Sequence, residues 1–105
     1  MTATYDNAVA LILSAMREFN ADELADYQID ISEDTVFFGR GGQLDSLGLV
    51  NMVLLVEEHI RDRCGVSVDL SNDRAMSQRN SPFRTVKTLA RYVAGIVDGL
   101  VGGDA

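Results

Sequence analysis

The chain has 105 residues, 47% hydrophobic and 24% charged, with 16 acids against 9 Lys and Arg and a formal net charge of -7. That length holds one domain with a modest core, and the acidic balance excludes binding to a nucleic-acid backbone, which takes clustered Lys and Arg. A single cysteine, Cys64, and a single histidine, His59, exclude a disulfide framework and a zinc site built from several such ligands.

Val9, Ile12, Leu13 and Met16 are spaced i, i+3, i+4, i+7, and Phe19 follows three residues on. This predicts a helix over roughly residues 5–19 with one apolar face. Residues 20–45 lose that period. They hold six acids from Asp22 to Asp34, then Arg40 and a glycine cluster at Gly39, Gly41 and Gly42. A connection this long inside a small domain tends to be functional or partly structured. The segment from Asp22 to Tyr27 suits a short helix, and Val36, Phe37 and Phe38 are apolar enough to pin the loop to the core.

Asp45 is a good N-cap for a second helix, which runs from about Leu47 to Ile60 and stops at Gly65. At 100° per residue Leu49, Met52, Val53, Val56 and Ile60 share one face. Leu47, Val50 and Leu54 lie well off that stripe, beside Asn51 and Glu58. Such a helix either sits at the centre of a bundle or shows a semi-apolar face to a partner.

Val66, Val68 and Leu70 alternate over a short extended piece, and Ser71 or Asn72 caps a short helix reaching about Gln78. Asn80, Ser81 and Pro82 then break the chain. The last helix starts near Thr85 and puts Val86, Leu89, Ala90, Val93, Val97 and Leu100 on one face; residues 101–105 form a fraying tail. The expected fold is all-α: one small four-helix bundle, with three longer helices, a short third one and a long first loop, its core spanning about residues 5–100. Charge is uneven along it. Seven acids and no base lie between Glu18 and Asp34, and five bases and no acid between Arg74 and Arg91. These are two solvated faces attracting each other weakly, or a bipolar surface that orients protein partners.

Any chemistry lies in the segment Gly42 to Val50. Asp45 and Ser46 are ordinary capping residue types. As a hydrolytic nucleophile Ser46 lacks a base: His59 is 13 residues further along the same helix, roughly 20 Å at 1.5 Å per residue. Leu44 stands where a nucleophile elbow has its first glycine, and Gly39-Arg40-Gly41-Gly42 lacks the Gly-Lys-Ser/Thr ending of a phosphate loop. The chain is therefore expected not to be an enzyme. The position does suit modification, since a phosphodiester on Ser46 sits by the helix N-terminus, which favours an anion by about 0.3–1 kcal/mol.

Leu44-Asp45-Ser46-Leu47-Gly48-Leu49-Val50 resembles the Asp-Ser-Leu attachment motif of acyl carrier proteins and peptidyl carrier domains. The likeness extends over most of the chain. Residues 34–38 resemble the loop leading to that motif, Val53 to Ile60 the rest of the family's second helix, Val66-Ser67-Val68 the extended piece after it, and Thr85 to Val93 the start of its last helix. The resemblance implies that a phosphopantetheinyl transferase moves 4′-phosphopantetheine from coenzyme A to Ser46, with Asp45 as the motif's helix cap. It implies a thioester-linked acyl or aminoacyl cargo, loaded by a ligase or acyltransferase and passed to a downstream synthase or transferase. Leu47, Val50, Asn51, Leu54 and Glu58 then flank Ser46 where carriers meet their enzymes, unless Leu47, Val50 and Leu54 simply pack against the long loop. Cys64 is read as a packing residue.

Members in fatty-acid synthesis usually carry acids at the positions of Gly48 and Asn51, both uncharged here. Gly48 serves either close approach of a partner or the arm, or as a neutral choice near a helix start. The segment from Ser71 to Pro82 is also longer than the usual link. The expectation is a free-standing, cytoplasmic, monomeric carrier of a dedicated pathway, for example polyketide or nonribosomal peptide synthesis, without membrane insertion. The lack of a long apolar run and of a basic N-terminal start agrees with that location. The alternative is an unmodified helical interaction module of the same fold.

Overall fold

The computed structural model describes residues 4–21, 28–70 and 81–102, with side chains up to residue 98. It is all-helical, with three helices among the described residues: α1 (Tyr5–Ala21), α2 (Ser46–Cys64) and α3 (Val86–Gly102). The expected four helices are thus corrected to three for the described part of the chain. The short helix expected after Asn72 and the one expected from Asp22 to Tyr27 both lie outside the described residues, as does the tail from residue 103.

Each helix begins where a side chain can take up its free N–H groups. Thr4 Oγ1 accepts from Asn7 N at 3.1 Å at the start of α1. Asp45 Oδ1 accepts from Gly48 N at 2.7 Å at the start of α2. Before α3, Thr85 Oγ1 accepts from Thr88 N at 3.0 Å while Thr85 N donates to Thr88 Oγ1 at 3.1 Å, a reciprocal capping box with threonine in the usual glutamate place. Helix α2 ends at Gly65, whose left-handed φ of 73° lets its N–H reach Arg61 O at 3.1 Å.

The apolar stripes read from the sequence form the core. Ile12, Met16, Met52, Val56, Ile60, Val86 and Ala90 are fully buried, and Val9, Phe19, Leu49, Val53, Leu89, Val93 and Val97 nearly so. Helix α1 packs against both α2 and α3 and so holds the middle of the bundle. Its additional buried residues Ala8, Leu11 and Ala15 widen its apolar face enough for two neighbours. Among the described helices α2 is a flanking one, and Leu47, Val50 and Leu54 face outward, 70%, 42% and 47% exposed.

The long first loop is built into the bundle at several points. Asn20 at the end of α1 binds Ile29 through both its donor and its acceptor, at 2.8 and 2.9 Å. Phe37 is fully buried, and Phe38 packs against the core from a half-buried position. Phe37 N donates to Arg84 O at 2.8 Å and Val86 N to Thr35 O at 3.1 Å, forming an isolated antiparallel bridge between Val36 and Thr85. The extended piece 66–70 alternates half-buried and exposed residues and ends on fully buried Leu70, with no strand partner among the described residues. No helix among the described residues is long and apolar enough to cross a membrane.

Candidate functional site

The loop presents the Asp45-Ser46 segment by doubling back on itself. Gly42 N donates to Gly39 O at 3.0 Å, closing a turn, and the returning residues pair with the outgoing ones: Gln43 N to Val36 O at 3.0 Å and Leu44 N to Phe37 O at 2.9 Å. At Gly42 the two arms come so close that a Cβ would lie 2.4 Å from Phe38 Cα, a separation no side chain tolerates. Gln43 is fixed further by Asp30, accepting from Asp30 N at 2.8 Å and donating to Asp30 Oδ2 at 3.1 Å. The chain therefore enters α2 from a braced hairpin whose arms rest on buried Phe37.

Asp45, with extended backbone (φ -83°, ψ -178°), caps α2 through Gly48 N. Ser46 is the first helical residue and is exposed, and among the described residues its hydroxyl has no hydrogen-bond partner. Among the described residues it meets neither an internal competitor nor a base. His59 lies near the far end of α2, its Nε2 2.7 Å from Glu18 Oε2 of α1. Among the described residues no three His, Cys, Asp or Glu side chains form a group able to hold a metal ion.

The residues expected to meet partners separate into two groups along the helix. Asn51 is exposed and turned toward α1, where it lines a groove of about 240 Å³ together with Phe19, Gln43, Leu44, Asp45, Leu47 and Gly48. Leu54 and Glu58 border a second groove of about 270 Å³ with Glu57, Arg61, Ser67 and Val68. There Glu57 is occupied structurally, accepting from Leu70 N at 2.7 Å and so anchoring the extended piece. Val50 is exposed and lines neither groove. From Ser46 to Val56 no α2 side chain is charged.

Phe19 was not expected beside the site. It reads as the end of the α1 core stripe, and only the packing of α1 against the start of α2 brings it into one groove with Leu44 and Leu47. Gly48 now has a physical reason. A Cβ there would stand 3.1 Å from Asp45 Oδ1 and 3.3 Å from Leu44 Cδ2, so any larger residue presses on the cap. Cys64 is a free, half-buried thiol packed against the core, as its expected packing role requires.

The two charged segments meet at Lys87, whose Nζ lies 2.9 Å from Asp34 Oδ1, with both side chains well exposed. The hydrogen bond and charge of Asp34 raise the Lys87 ammonium above its ordinary pKa. This tie lies on the loop, away from the grooves. No family model, curated protein or solved structure matches the chain.

Proposed function

We propose that the chain is a carrier domain resembling acyl carrier proteins, which takes 4′-phosphopantetheine on Ser46 and shuttles cargo between enzymes without catalysing a reaction itself. The observation that carries this reading is the presentation of Ser46. Its hydroxyl is exposed at the first turn of α2 and, among the described residues, uncommitted, inside the sequence Leu44-Asp45-Ser46-Leu47 beside a braced loop. That arrangement suits a residue acted upon by another protein.

The chain's own part in attachment is limited. Ser46 Oγ forms a bond to the pantetheine-side phosphorus of the coenzyme A pyrophosphate as the bond to the departing adenosine 3′,5′-bisphosphate breaks. The hydroxyl proton passes to a base on the phosphopantetheinyl transferase. Asp45 keeps the first turn of α2 ordered through Gly48 N, and the free N–H groups of that turn lie near the resulting phosphodiester. When bound, the group supplies a terminal thiol that holds an acyl or aminoacyl cargo as a thioester.

Leu47, Val50 and Leu54, with Asn51 and Glu58 beside them, give enzymes an outward face next to Ser46. The partners of such a carrier are the transferase, a loading ligase or acyltransferase, and a downstream synthase or transferase. The uncharged Gly48 and Asn51 favour a dedicated pathway over housekeeping fatty-acid synthesis, and a monomer in the cytoplasm fits that role. A second reading draws on the same apolar face: an unmodified interaction module would expose Leu47, Val50 and Leu54 equally well.

Intact mass separates the two. The protein is incubated with coenzyme A, Mg²⁺ and a broad-specificity phosphopantetheinyl transferase, with Ser46→Ala as control. The expected result is a gain of one phosphopantetheine by the wild type and none by the variant. No gain with several transferases would overturn the carrier reading in favour of the interaction module.

A further inference from the structure

We propose that the groove between the end of α1 and the start of α2 is the resting site for the pantoyl half of the arm, with Asn51 as its polar anchor. The inference depends on Ser46 being the attachment point and goes further, assigning the face on which the chain holds its prosthetic group. The groove opens next to Ser46: Ser46 does not line it, but its neighbours Asp45 and Leu47 do. A group tethered at Ser46 reaches it by passing over the exposed Leu47 side chain.

The lining matches the chemistry of that half of the arm, which carries two methyl groups on one carbon, a hydroxyl and then an amide. Phe19, Leu44 and Leu47 supply apolar surface for the methyl groups. Of the three polar lining residues, two are already engaged. Gln43 is held by Asp30 through both ends of its amide, and Asp45 by Gly48 N. Asn51 is exposed, and among the described residues its amide has no partner. An asparagine side chain offers both a donor and an acceptor, the pairing that a secondary amide asks for. Asn51 also lies five residues beyond Ser46, about 7.5 Å along the helix axis at 1.5 Å per residue, within the span of the arm's first half.

A volume of about 240 Å³ exceeds the roughly 150 Å³ cavity that takes a benzene molecule, so the groove has room for a branched fragment with one amide. Gly48 lines the groove without a side chain and so leaves that space open where α2 begins. Gly48 and Asn51, whose places usually carry acids in fatty-acid-synthesis members, thus face the arm, with Asn51 at the border of the outward face offered to enzymes.

The test compares amide spectra of ¹⁵N-labelled apo protein and the same sample after loading, with loading verified by intact mass. The expected result is that the backbone amides of Phe19, Gly48 and Asn51 and the side-chain NH₂ of Asn51 shift at least as much as Leu47. Nuclear Overhauser contacts should join the two pantoyl methyl groups to the Phe19 ring. A verified mass gain with shifts confined to residues 45–47 and no contact to Phe19 overturns the groove assignment and leaves the carrier reading standing. Absence of any mass gain removes the carrier reading, and this inference with it.

Discussion

At the scale of single residues, two glycines and one aspartate determine how Ser46 is offered. Gly42 is fixed by space: its missing Cβ would sit 2.4 Å from the Phe38 backbone, and backbone atoms cannot swing aside as a side-chain tip can. Gly42→Ala is therefore expected to destabilise the fold by about 1–3 kcal/mol, the ordinary cost of overpacking, read as a lower urea midpoint. An unchanged midpoint would show that the hairpin opens without strain. Asp45 acts through a single acceptor oxygen. Asp45→Ala should cost about 1 kcal/mol of stability, whereas Asp45→Asn, which keeps an acceptor for Gly48 N, should cost much less. Equal losses in the two variants would mean that charge at the helix start, not the cap, supplies the stability.

At the scale of the helix, α2 carries two apolar surfaces of opposite consequence. Met52 is fully buried, so Met52→Ala should cost about 2–5 kcal/mol in an unfolding titration. Leu54 is about half exposed, so Leu54→Gln should move stability by no more than about 0.5 kcal/mol while slowing loading by the transferase. A Leu54→Gln variant that unfolds early would place that residue in the core after all. The helical periods made most buried positions of the three helices readable from the sequence, because a 3.6-residue repeat reports burial directly; on α1, Leu13 proved half-buried and the buried Leu11 was missed. Which helix holds the centre was less legible. The decisive signal was the small residues Ala8 and Ala15, which extend the apolar face of α1 without standing out in hydrophobic spacing. Ser46 and its cap were legible from local chemistry alone. Phe19 was not recognisable as a neighbour of that site, since its proximity is made by tertiary packing and leaves no period in the chain.

For the molecule as a whole, the loop and the start of α3 are one unit, joined by backbone bonds across some fifty residues that no local pattern could reveal. The Lys87–Asp34 pair fastens the same seam from outside. Lys87 stands in the first turn of α3, where the helix dipole disfavours a cation, and the Asp34 carboxylate offsets that penalty. Its pKa is raised first by the Asp34 hydrogen bond and then by the charge of Asp34, against desolvation, with the charges of Glu33 and Tyr5 adding less. A folded-state pKa above the unfolded one means that the pair's contribution is fully present below the ordinary lysine value of 10.5 and is lost as pH rises through the folded value. The pair is exposed, so the contribution is small. Comparing wild type with Lys87→Met isolates it, because the other titrating groups are common to both proteins. The difference in urea midpoint should stay constant from about pH 7 to about pH 9.5, then move in favour of Lys87→Met above about pH 10.5 as the wild type loses its cation. A difference that stays constant through about pH 11.5 would mean that the seam is held by Phe37, Thr35 and their backbone partners alone, with the ion pair merely lying across it.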